Sequence, residues 1–115
     1  DMNRKCGTPE YCAPEVLSGH YNLECDMWSL GVLTYIMLSG YMPFKGKDIH
    51  DTLSKVKAGN IDFTLPIWKD ISTSAKEFIV KLIEKDPKKR MKASESLNHP
   101  WITNYSNYSL DKFKT

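Results

Sequence analysis

Residues 26–39 read Asp26-Met27-Trp28-Ser29-Leu30-Gly31-Val32-Leu33-Thr34-Tyr35-Ile36-Met37-Leu38-Ser39, the most apolar run of the chain. Wound as a helix, this run puts apolar residues on nearly every face, which predicts burial all round rather than an amphipathic surface helix. It falls short of the ~18 to 20 apolar residues of a membrane span, so it reads as the central element of a larger fold. Gly31 in its middle costs about 1 kcal/mol against Ala and predicts close packing of a backbone or bulky side chain there. Asp26 stands at its start, where an N-cap belongs, and Gly40 ends it.

Downstream, Pro43 and Gly46 mark a loop, and Asp48 is placed to cap a helix over 49–58 with a stripe of Ile49, Leu53 and Val56 and a stop at Gly59. Residues 60–71 read as an ordered loop around Pro66. Ser72 or Ser74 caps the next helix, over 72–85; Ser74 with Glu77 has capping-box spacing. Ala75, Phe78, Ile79, Leu82 and Ile83 form its one-face stripe, and Asp86-Pro87 ends it. A short helix over 93–98 stops at Pro100, and 103–115 reads as an extended polar tail. Upstream, 1–13 is loop, and Pro14 opens a single helical turn to Leu17 with Gly19 as its stop. No alternating strand pattern occurs, so the expected fold class is all-α.

A length of 115 residues fits one domain, and 16 Lys and Arg against 14 Asp and Glu leave a net charge of +2. That balance argues against nucleic acid as a partner of the whole domain, and no membrane partner is expected. The polar start, Asp1 to Lys5, offers no signal peptide, and the missing initiator Met predicts a piece of something longer. Cys6, Cys12 and Cys25 are odd in number and form no Cys-x-x-Cys, which points to a reducing compartment, cytoplasm or nucleus. With His20 they are too widely spaced for zinc, and half-buried thiols are expected instead. The sequons at Asn104 and Asn107 read as chance matches. The basic run Lys85, Lys88, Lys89, Arg90 and Lys92 is interrupted by Asp86 and reads as a solvated face.

Five motifs carry a family resemblance. Cys6-Gly7-Thr8-Pro9-Glu10-Tyr11-Cys12-Ala13-Pro14-Glu15 resembles the end of the activation segment of a eukaryotic protein kinase, whose signature includes Ala-Pro-Glu. Asp26-Met27-Trp28-Ser29-Leu30-Gly31 resembles the family's Asp-x-Trp-Ser-x-Gly helix. Gly40 to Phe44, Asp86-Pro87-Lys88-Lys89-Arg90 and His99-Pro100-Trp101-Ile102 follow in the family's order. The finer resemblance is to the calcium/calmodulin-dependent group of Ser/Thr kinases, including the calcium-dependent kinases of plants and protists. It implies that 1–102 is the C-terminal part of a kinase domain, with 26–39 as the buried pillar of the C-terminal lobe.

The resemblance assigns roles. Glu15 and Arg90 would form a buried bidentate ion pair fastening the activation segment to the lobe core. Asp26 would support the catalytic loop by accepting its backbone N–H groups. Thr8 would line the substrate cleft beside the acceptor hydroxyl, with Glu10 and Tyr11 nearby. The Gly7-Thr8-x-x-Tyr11 arrangement favours Ser or Thr as acceptor. Kinases that demand Arg two residues before the acceptor often carry Glu ten residues after the helix's leading Asp. Here that place holds Ile36, which argues against strong selection for that Arg.

The Gly-rich loop, the Val-Ala-Ile-Lys lysine, the His-Arg-Asp loop and Asp-Phe-Gly are not in this sequence. The expectation is therefore no catalytic residue, metal, ATP or magnesium site in this segment, with ATP and Mg²⁺ bound by the parent kinase. A protein substrate, the upstream part of the kinase domain and a calcium sensor or calmodulin outside the segment are its expected partners. The alternative is a pseudokinase or scaffold module without catalysis. Because the 26–39 helix is apolar all round, the isolated chain is also expected to self-associate, to swap elements between copies, or to lose order around residues 1–25.

Overall fold

The computed structural model describes residues 12–17 and 23–104, and every regular element among them is helical. The order is α1 (Pro14–Leu17), α2 (Leu23–Ser39), α3 (Ile49–Ala58), a 3₁₀ helix (Pro66–Asp70), α4 (Thr73–Leu82), α5 (Ala93–Ser96) and α6 (residues 100–104). None of the described helices is long and apolar enough to cross a membrane.

The central helix α2 begins at Leu23, three residues before Asp26, so Asp26 lies exposed within its first turn and is not its N-cap. The apolar run also differs from expectation in how it is covered. Cys25, Trp28, Gly31, Val32, Thr34 and Tyr35 are buried, but Leu23 and Met37 are 82% and 83% exposed, and Leu30 and Leu33 face solvent. Burial is therefore one-sided among the described residues, although the composition is apolar on both sides. On the inner side α2 packs against α4. A Cβ on Gly31 would lie 2.7 Å from Ile83 Cγ1 and 2.8 Å from Leu82 Cβ. The close approach that a mid-helix glycine predicts is thus the crossing point of α2 and α4.

The outer helices begin where their caps put them. Asp48 accepts the N–H of Asp51 at 2.9 Å, and Gly59, at φ 70°, closes α3 by donating to the Lys55 carbonyl. That left-handed φ favours glycine at the stop. The α3 stripe is rotated from the expected one. Thr52 and Val56 are buried, Leu53 is half-buried, and Ile49 is more than half exposed. At α4 the cap is Ser72, which accepts the N–H of Ala75 at 3.2 Å. The helix ends at Leu82 rather than 85 because Ile83 leaves the helical region at φ −94°, ψ 47°. Its stripe Ala75, Phe78, Ile79, Leu82 and Ile83 is buried throughout.

Two loops hold more structure than their sequence suggests. Pro66 opens the 3₁₀ helix and delivers Trp68, fully buried, against Tyr35 and Phe63, with ring centroids 4.7 Å away in both cases. The Tyr35 hydroxyl donates to the Asp62 carbonyl at 2.6 Å and pins the loop to α2. At the other end, α5 is only Ala93–Ser96, and Pro100 starts α6 instead of terminating a longer helix. A proline at the first helical position loses no bond, because that N–H has no intrahelical partner. Thr103, assigned to the tail, belongs to α6; the rest of the tail from 105, and the stop assigned to Gly19, lie outside the described residues.

Candidate functional site

The site is built on a turn. Asp86-Pro87 follows α4, and the turn closes on Asp86, whose carbonyl accepts the N–H groups of Lys89 and Arg90 at 3.0 and 3.1 Å. The Asp86 carboxylate accepts from the Lys88 N–H at 3.0 Å, an Asx turn of the kind Asp favours. Met91 then donates to the Lys81 carbonyl at 3.0 Å, tying the far side of the turn to α4. The result aims the Arg90 side chain inward while Lys85, Lys88, Lys89 and Lys92 stay at the surface.

Arg90 is 2% exposed, and its five N–H donors meet five acceptors. Nη1 donates to Glu15 Oε2 at 2.6 Å and Nη2 to Glu15 Oε1 at 2.9 Å, a bidentate fork. Nη1 also donates to the Glu24 carbonyl at 2.8 Å, Nε to the Glu84 carbonyl at 2.7 Å, and Nη2 to the Lys85 carbonyl at 3.5 Å. The guanidinium carbon stands 5.2 Å from the centroid of the Trp28 ring, which is itself stacked on Phe44. One cation therefore joins α1, the first turn of α2 and the α4–α5 turn. A buried charge is costly unless paired and fully hydrogen-bonded, and this one is both.

Glu15 reaches the fork because Pro14 sets the first turn of α1 and Val16 donates back to the Ala13 carbonyl at 3.1 Å. Cys12, Ala13 and Val16 enter the main core, which fixes the turn against α2. Cys12 and Cys25 are fully buried there, not half-buried as expected. Cys6 and His20 lie outside the described residues, as do Thr8, Glu10 and Tyr11. Asp26 does not share the Arg90 site. It lines, with Leu23, Glu24, Met27, Lys92, Ala93 and Ser94, an open depression of about 470 Å³ at the start of α2. The Glu24 carbonyl and the Trp28 face are partners of Arg90 that motif reading did not assign. Only the Asp-x-Trp spacing beside Glu24 hinted at them.

The sequence profile of the protein kinase domain matches residues 1–102. Calcium-dependent protein kinase 3 of Plasmodium yoelii yoelii is 50% identical over 102 residues, covering 89% of this chain and 19% of that protein. Myosin light chain kinase A of Dictyostelium discoideum is 45% identical over 115 residues, covering 98% of this chain and 39% of the relative. The probable serine/threonine-protein kinase fhkC of the same organism is 41% identical over 122 residues, covering 98% and 20%. The chain thus spans between a fifth and two fifths of the length of these relatives.

Proposed function

The chain belongs to the protein kinase family, and from that premise we propose that it is the substrate-side segment of a Ser/Thr kinase of the calcium-dependent group. The parent enzyme transfers the γ-phosphoryl group of ATP to Ser or Thr of a protein. The observation that carries this reading is the Glu15–Arg90 fork. It fastens the Ala-Pro-Glu end of the activation segment to the lobe core, where a fixed platform for substrate is needed. Phosphoryl transfer depends on positioning and electrostatics, so such a platform contributes by holding substrate, not by reacting. Thr8, with Glu10 and Tyr11, is the proposed substrate contact, and Asp26 the proposed support of the catalytic loop.

Among the described residues no group of three His, Cys, Asp or Glu side chains could hold a metal ion, and the sequence carries no Gly-rich phosphate loop. We assign ATP and magnesium to the rest of the parent kinase, together with any calcium sensor or calmodulin contact. Cytoplasm or nucleus is the proposed location, on the cysteine usage.

A chimera tests the function. Residues 1–102 replace the matching segment of the Plasmodium calcium-dependent protein kinase 3, and phosphate transfer to Ser, Thr and Tyr peptides is measured. Activity on Ser and Thr peptides is expected, with little dependence on Arg two residues before the acceptor. A folded but inactive chimera favours the non-catalytic interaction module, and a strong requirement for that Arg overturns the inference from Ile36.

A further inference from the structure

Helix α6, residues 100–104, is tied down at its start by one residue. His99 stands at the N-cap place, and its Nδ1 accepts the N–H of Trp101 at 3.1 Å. Its carbonyl accepts the N–H groups of Ile102 and Thr103 at 2.9 and 3.0 Å. A side-chain acceptor at this place satisfies a first-turn N–H that has no intrahelical partner. The usual caps are Ser, Thr, Asp and Asn, whose oxygens accept throughout the neutral range. A histidine nitrogen accepts only while the ring is neutral, because both nitrogens of the cation are donors.

The ring is also badly placed to carry charge. His99 is 4% exposed, and Phe78 lies edge-on to it with centroids 5.2 Å apart. With Nδ1 accepting, the neutral ring holds its proton on Nε2, which is buried without a partner. A second proton would make a buried cation with neither N–H paired, and would aim Nδ1–H at the Trp101 N–H. Around the ring stand Glu77 and Lys81 of α4, Lys89 of the α4–α5 turn and Glu95 of α5. Helix α6 itself carries no charged side chain. Two cations thus stand against two acids, and burial decides. Protonation is held down by burial first and the Lys81 cation second, against Glu77.

What α6 covers is a unit apart from the main core. Trp101 and Ile102 pack with Met27 on Phe78, Leu82 and Met91, with the Trp101 ring 4.9 Å from that of Phe78. None of these belongs to the larger cluster around Trp28, Val32 and Trp68. Lifting α6 strips the smaller cluster and leaves the larger one packed, the condition for a local opening. We propose that His99 is a pH-sensitive latch: protonation of its ring breaks the Nδ1 cap, and α6 lifts from Phe78, Leu82 and Met91 while the main core stays folded. The proton comes from solvent and enters at Nδ1, so a closed α6 and a charged ring exclude each other.

Amide hydrogen exchange of the whole chain, read by NMR as protection relative to an unstructured amide at the same pH, tests this. Protection of the Trp101, Ile102 and Thr103 amides should fall by up to tenfold per pH unit below about pH 6.5, the slope of a single proton. It should be lower than that of Trp28 to Tyr35 in α2 and nearly indifferent to dilute urea, as for an opening that exposes little surface. His99→Asn keeps a cap acceptor that does not titrate and should hold α6 protection level from neutral pH down to about pH 5. Lys81→Gln, at an exposed position, removes the cation that opposes protonation and should raise α6 protection in acid; Glu77→Gln, also exposed, should lower it. These two charge changes read the latch even where His99→Asn does not fold. Protection of α6 equal to that of α2 at every pH, a fall that persists in His99→Asn, or indifference to both charge changes overturns the proposal.

Discussion

Helix α2 has two sides of similar composition and opposite fate. Toward the core, Trp28 and Val32 are fully buried and Tyr35 nearly so, and the Trp28 ring lies beneath a guanidinium whose every donor is used. Toward solvent, Leu23, Leu30, Leu33 and Met37 are exposed. The contrast teaches that hydropathy states what favours burial, not what covers it. Covering is a matter of geometry. One side is closed by the crossing at Gly31 and by the Arg90 network, and the described residues supply nothing equivalent on the other.

Breaking the closed side at its charge should have the largest effect. Arg90→Met leaves Glu15, only a tenth of its side chain exposed, without its partner, and loss of one partner of a buried pair typically costs about 3–5 kcal/mol. A urea denaturation midpoint reads this. The double variant Glu15→Met with Arg90→Met should recover part of the loss, since no lone charge remains. A single variant within about 0.5 kcal/mol of the parent chain would mean the fork contributes no more than a surface pair.

Next comes the crossing point. Gly31→Ala puts a methyl group against Leu82 Cβ, an atom that moves only with its backbone. Overpacking of this kind costs typically 1–3 kcal/mol, so thermal unfolding should come several degrees earlier. An unchanged transition would show that α2 and α4 can separate freely.

The open side is probed by association. Exposed apolar area counts at ~25 cal/mol per Å², so covering ~200 Å² would gain about 5 kcal/mol. Sedimentation of the isolated chain should show self-association that rises with concentration, and Leu33→Gln with Met37→Lys should shift it toward monomer. Their effect on the monomer itself should stay within about 0.5 kcal/mol, the usual range for surface changes. A sharp monomer peak at high concentration would show that the face is tolerated bare.

The smallest effect is a pH dependence at His99. Burial, then Lys81, lowers its pKa in the folded chain below the usual 6.5, so the unfolded chain binds the proton more readily. Stability is therefore full above about pH 6.5 and falls as pH drops through the folded pKa. His99→Gln should flatten that part of the stability profile, and an unaltered slope would assign it to other groups.

Much of this was readable from local signals, and the failures share a cause. Asp48, Gly59 and Ser72 mark helix ends because capping is a contact among residues close in sequence. The Ala75–Ile83 stripe follows from periodicity for the same reason. Glu15 and Arg90 have no local signal; motif resemblance, not spacing, linked them. The start of α2 has no local mark: Asp26 makes a plausible cap, while Leu23 offers no start signal. The burial of Trp68 has no local signal, because it depends on Tyr35 and Phe63 arriving from other segments. Pro100 is ambiguous in the sequence because the same residue can end one helix or begin another.

The span of the Arg90 network has a consequence during synthesis. Glu15 leaves the ribosome 75 residues ahead of its partner. At about 5–20 residues per second, that is a wait of roughly 4–15 s. Throughout that interval α1 has no cation to hold it and the Trp28 ring has none above it. Everything upstream of residue 90 must then persist unfastened on the nascent chain, and arrest before Arg90 should yield a species far more open to protease than one arrested a few residues later.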